Sequence, residues 1–116
     1  MKALLILAAL VASAAHAAPR AESAQECGIA ADMAVVAHSL AREEVQRPKA
    51  NQIMARIYDV RESERGLAIM NEILDAAYAQ NTAAAGGGSG QQFAEELFTA
   101  CMESNGNLDS VLGKRL

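Results

Sequence analysis

Cys27 and Cys101 are the only cysteines in this chain of 116 residues. What a lone pair so far apart can build depends on the compartment, and the chain opens with a segment that speaks to this. Residues 1–17 read MKALLILAALVASAAHA. Lys2 supplies a positive start, Ala3 to Ala12 form an apolar run, and Ala15-His16-Ala17 has the small-x-small pattern that a signal peptidase requires. The expectation is a signal peptide over 1–17, with the mature protein beginning at Ala18-Pro19 as a single helical domain over 18–116. The apolar run is short and Ala-rich, and no stop-transfer pattern follows, so no stable membrane insertion is expected after cleavage. No cysteine stands at the cleavage point, which argues against a lipoprotein. The Ala-rich leader has the style common in Gram-negative bacteria, so the periplasm is the first expectation and full secretion the second. In either compartment two cysteines in a small domain imply one disulfide. It would close nearly the whole mature chain.

Apolar residues are 52% of the chain and charged residues 21%, enough for one packed core. Aromatics are only 3% and Trp is absent. The core must therefore be built from Ala, Leu, Ile, Val and Met. The formal charge is −4, which argues against nucleic acid or an anionic membrane surface as the main partner. Removing Lys2 from 10 basic residues leaves nine against 14 acidic ones, a net −5. Cleavage also removes His16, leaving His38 as the single histidine.

The periodicity throughout is helical, with no alternating strand pattern and no internal repeat. After an extended stretch from Ala18 to Glu22, Ser23 with Glu26 forms a capping box that starts a first helix. This helix is expected to reach about Gln46. Ile29, Met33, Val36 and Leu40 make its apolar stripe, with Ala30, Ala34, Ala37 and Ala41 beside them. Arg47-Pro48 should break it, since proline pushes the preceding residue away from helical angles. Pro48 then opens a second helix ending near Tyr58 or Asp59, with Ile53, Ile57 and Val60 as a narrow stripe and Met54 and Tyr58 alongside. A charged connection follows, with Ser63 as the cap of a third helix over Glu64 to Gln80. Its rows are Leu67, Met70, Leu74, Tyr78 and Ile69, Ile73, Ala77. Residues 81–90, NTAAAGGGSG, read as a flexible loop. Ser89 and Gln92 cap a fourth helix from about Gly90 to Ser104, with Phe93, Ala94, Leu97, Phe98 and Cys101 inward. Asn105-Gly106 stops it, and Leu108, Val111 and Leu112 add a short turn. The fold class expected is all-α: a small up-down four-helix bundle closed by one disulfide. In that topology the start of the first helix and the end of the last share one end of the bundle, where Cys27 and Cys101 both lie.

Catalytic patterns are scarce. His38 is eleven positions after Cys27, about 16 Å along a helix, too far for a thiolate–imidazole pair. No nucleophile-elbow motif supports a Ser-His-Asp site, and His38 reads as a rim or partly buried histidine. Met33, Met54, Met70 and Met102 fall one per helix at core-type positions, without the clustering that copper(I) requires. Gly86-Gly87-Gly88-Ser89-Gly90 precedes a helix but is followed by Gln91-Gln92 and not by Lys-Ser/Thr, so it is read as a connection and not a phosphate loop. The pairs Glu43/Glu44 and Glu95/Glu96 and the run Asp59 to Arg65 match no calcium loop. They read as solvated faces, with Glu43–Arg47 and Arg61–Arg65 as neighbours. The expectation is therefore no enzyme, no cofactor and no metal.

The leader, Cys27 near the start of the first helix, Cys101 near the end of the last, and the Ala-rich helices between them resemble uncharacterised short periplasmic proteins of proteobacteria. The chain is also similar in size and style to small acid-activated periplasmic chaperones, although no residue-level motif links it to them. Three roles follow as expectations. The first is a non-enzymatic exported protein that works by protein–protein contact, either with an envelope or secreted partner or as a homodimer. The second is an acid- or stress-responsive chaperone, in which carboxylates lose charge at low pH. The third is a bundle that binds a small ligand.

Overall fold

The computed structural model describes residues 20–82 and 89–112. The expected leader, Ala18 and Pro19 of the expected extended stretch, and most of the glycine-rich loop lie outside the described residues. Among these described residues five helices follow in order: α1 (Ala24–Arg42), α2 (Arg47–Tyr58), α3 (Glu64–Thr82), α4 (Gly90–Glu103) and the single turn α5 (Asp109–Leu112). The first four form an up-down bundle. Among the described residues the only extended pairing is an isolated bridge between Arg20 and Asn107.

Serine starts three of the helices. The Ser23 Oγ accepts the Glu26 N–H at 3.1 Å, the Ser63 Oγ the Gly66 N–H at 2.9 Å, and the Ser89 Oγ the Gln92 N–H at 3.0 Å. Each satisfies an amide that a helix start leaves without an intrahelical partner. At α1 the return contact is displaced by one residue: the Glu26 carboxylate accepts the N–H of Glu22, at 2.8 Å, and not that of Ser23.

The helix ends share a second device. Past α1, Glu44 is left-handed at φ 60°, and the N–H of Val45 bonds the Leu40 carbonyl at 3.0 Å. Past α2, Asp59 is left-handed at φ 53° and Val60 bonds back to Ala55. Past α4, Asn105 is left-handed at φ 54° and Gly106 bonds back to Cys101 at 2.7 Å. Each is a 6→1 closure that caps orphan carbonyls. This explains why α1 stops at Arg42, short of the expected Gln46. The break also lies one residue earlier than expected. Gln46 is extended (φ −63°, ψ 144°), Arg47 is already helical, and Pro48 sits within the first turn, where its missing N–H costs no helix bond.

The α1–α4 pair is antiparallel with a fixed register. Cys27 and Cys101 are joined by a disulfide, with Cα atoms 5.7 Å apart. At the far end Gly90 lies against His38, close enough that a Cβ there would meet His38 Nδ1 at 3.3 Å. The two meetings are eleven residues apart on each helix, so the same register holds along the seam and sets Ala34 level with Ala94. α3 runs parallel to α1 and contributes Ile69, Met70, Ile73, Leu74, Ala76 and Ala77 to the core. Leu108 and Leu112 join the same core, as does Ala21.

The buried faces differ from the expected ones in rotation. On α1 the deepest residues are Cys27, Ala30, Met33, Ala34, Ala37 and Ala41, while Ile29 is 39% exposed and Val36 and Leu40 are half-buried. On α2 the core residues are Ala50, Met54 and Ala55, and Ile57 faces solvent. On α4 Phe98, expected inward, is 41% exposed, and Met102 is 46% exposed. Alanine wins the seams because small side chains let helix axes approach.

Candidate functional site

A helical step of 100° per residue sets Ala24, Gly28, Ala31 and Val35 along one flank of α1. This is the flank beyond Cys27 and His38, on the α4 side and away from α3. The matching flank of α4 carries Phe98 and Met102, one turn apart. Met102 lines an open groove with Ala24, Cys27 and Cys101, so the two flanks meet over the disulfide. A Cβ built on Gly28 would meet nothing within 4 Å. Over the disulfide that groove is mixed, since Arg20, Glu22, Ser23 and Asn105 line it beside Ala24 and Met102; one turn away along α4 stands the exposed Phe98. Scattered exposed apolar residues are ordinary, but a contiguous set marks a contact surface.

The sequence candidates fall into three groups. Cys27 and Cys101 are brought together, and both are buried, at 3% and 1% exposure. His38 is buried at the α1–α4 seam beside the start of α4. The methionines are not brought together. Met33, Met54 and Met70 are core residues, whereas Met102 belongs to the exposed face. Among the described residues no three His, Cys, Asp or Glu side chains are grouped as a metal site. Glu44 serves as a left-handed cap residue, and Glu95 accepts from the Gln91 side chain at 3.5 Å. The expected Glu43–Arg47 neighbour pair gives way to a longer-range one: Arg47 turns to Asp75 of α3, with N···O 2.6 Å.

That turn builds a polar clamp which sequence reading missed. Arg47 also donates to the Asn51 side chain at 2.9 Å and to the Asn71 carbonyl at 3.2 Å. Asn51 donates to Asn71 at 3.1 Å. The guanidinium stacks over the Tyr78 ring, 5.7 Å from its centroid, and the Tyr78 hydroxyl donates to the Val45 carbonyl. The available signal was spacing: Arg47 and Asn51 are four apart on α2, and Asn71 and Asp75 four apart on α3. Burial raises the Tyr78 pKa.

Lower on the bundle Tyr58 donates to Asp32 at 2.5 Å. Burial first, and then this bond to a carboxylate, pushes the phenol far above its ordinary range. Arg65, in the first turn of α3, pairs with Glu26 and, at 3.3 Å, with Glu22. The Arg65 hydrogen bond, followed by the Glu22 amide, holds the Glu26 carboxyl below its usual range.

Compared with family models, with curated proteins and with solved structures, the chain has no match. Among the described residues no helix is long and apolar enough to cross a membrane.

Proposed function

We propose that the chain is exported to the periplasm after loss of residues 1–17 and acts there without catalysis, by holding a partner protein on the α1–α4 face. The observation that carries this reading is the exposed pair Phe98 and Met102 beside the strip Ala24, Gly28, Ala31 and Val35. Burying such side chains on a partner recovers about 25 cal/mol per Å² of apolar surface. The occupant is a heterologous envelope protein offering an apolar segment with a basic rim. The chain's net charge of −4, or −5 after cleavage, attracts such a rim and opposes a second copy.

The test places a photo-crosslinking residue in turn at Val35, Phe98, Met102 and, as the remote control, Lys49. A single adduct shared by the first three, absent at Lys49 and, for the probes at Val35 and Met102, reduced at least tenfold by Phe98→Glu, supports the reading. Equal yields at all four positions, or an adduct that is a second copy of the chain, would overturn it. The leader is tested separately: the mass of the mature protein should correspond to a start at Ala18.

A further inference from the structure

We infer that the groove between α2 and α3 binds a single-tailed anionic amphiphile, a ligand with one carboxylate or phosphate head on an apolar chain. The groove has a volume of about 470 Å³, within the ~300–1,000 Å³ typical of small-molecule sites. Its floor is apolar: Ala55 and Met70 are buried and Leu67 is partly so. Its wall carries the carboxamides of Asn51, Gln52 and Asn71, and Arg56 and Arg61 stand at its edge.

The two arginines set the charge of the ligand. Arg47 and Arg65 are each neutralised by carboxylates. Arg56 and Arg61 have no ion pair and no side-chain hydrogen bond among the described residues. Asp59 and Glu62, their neighbours in sequence, stay exposed and beyond ion-pair distance of either. In a chain with an acidic balance, two unneutralised guanidiniums over one apolar floor complement an anion with a tail. Guanidinium forks suit both carboxylate and phosphate oxygens. The floor supplies what a free inorganic anion cannot use, and the arginines supply what an uncharged alcohol cannot use.

The experiment titrates the folded, disulfide-bonded protein with decanoate and decyl phosphate below their micelle concentrations. Decanol, acetate and inorganic phosphate serve as half-ligands. The expected result is saturable binding of at least one two-part probe, with NMR shifts at the Met70 and Leu67 methyl groups. Each half-ligand should bind at least tenfold more weakly. The double variant Arg56→Gln/Arg61→Gln alters only exposed side chains and should also lose at least tenfold. Binding of decanol equal to decanoate, an unchanged affinity in the double variant, or shifts confined to Phe98 and Met102 would overturn the inference. So would binding to phosphatidylglycerol vesicles with none to the monomeric probes. Because the groove and the α1–α4 face use different residues, cross-linking at Phe98 is unaffected by either outcome.

Discussion

The α1–α4 seam and the α2–α3 seam hold the same bundle together by different chemistry. The first is a close contact of alanines, with Ala34 and Ala94 buried between a disulfide at one end and the His38–Gly90 packing at the other. The second carries a half-buried polar clamp: Arg47, Asn51, Asn71 and Asp75 bond one another, while Tyr78 stacks under Arg47 and donates to the Val45 carbonyl. A covalent tie acts mainly by restricting the unfolded chain, whereas a polar clamp exchanges protein–water bonds for protein–protein bonds at small net gain. The α1–α4 pair should therefore dominate stability. Of the four bundle helices α2 buries the fewest residues, Ala50, Met54 and Ala55, which suits it to form one wall of an adaptable groove.

The comparison is most easily broken at the sulfurs. Cys27→Ser/Cys101→Ser removes a cross-link spanning 74 residues, for which the loop-entropy relation gives about 4 kcal/mol. Urea unfolding of the oxidised protein against the double variant measures it. A loss under about 1 kcal/mol would mean that the alanine seam holds without its bond.

Next in size is Gly106→Ala. Gly106 has φ 90°, and a Cβ there would lie 1.9 Å from the Ala21 carbonyl oxygen. The same residue accepts the Ala21 N–H at 3.0 Å, the bond that docks the start of the described chain onto the turn after α4. The expected cost is about 3 kcal/mol, from strain together with loss of that docking. It should appear in thermal melts and in faster amide exchange at Ala21.

On the polar seam the effects should be smaller. Tyr78→Phe deletes the hydroxyl that bonds Val45 and should cost about 1 kcal/mol. Arg47→Met should cost a similar amount, because the ion pair with Asp75 is part-exposed. The two side chains stack, so a double-mutant cycle should show coupling. Strict additivity would mean that the clamp is a set of independent contacts.

A change in the opposite direction is expected at Glu44. Replacing this left-handed residue by glycine relieves backbone strain and should stabilise by about 0.5 kcal/mol.

The smallest effect concerns acid. The Glu26 pKa is lowered in the folded state, first by Arg65 and then by the Glu22 amide. Its contribution is present in full above the ordinary glutamate pKa of about 4.3 and is lost as pH falls through the lower folded value. Glu26→Gln should flatten this part of the stability–pH curve. If acid instead opens the whole bundle in both proteins, the chaperone-like role gains ground over the contact role.

Much of the molecule was legible before any coordinate. The serine caps at Ser23, Ser63 and Ser89 and the joining of Cys27 to Cys101 follow from local spacing or from a unique pairing. The failures share one cause. Ile29, Val36 and Leu40 look like a better core stripe than Ala30, Ala34, Ala37 and Ala41, and Phe98 looks inward beside Leu97. When most of a helix is apolar, its rotation about its own axis is left undetermined.

Among the described residues the sequence by itself determined that the chain is helical, where the serine-capped helices start and which two ends meet. Those features depend on hydrogen bonds within a few residues and on there being only one partner for each sulfur. Tertiary structure alone decided which face each helix buries, and hence that Phe98 and Met102 stand outside and that Arg56 and Arg61 meet over one groove. That choice is made by the separation of the helix axes. Alanine permits a close approach that a bulkier side chain forbids, and no single helix carries the position of its neighbour.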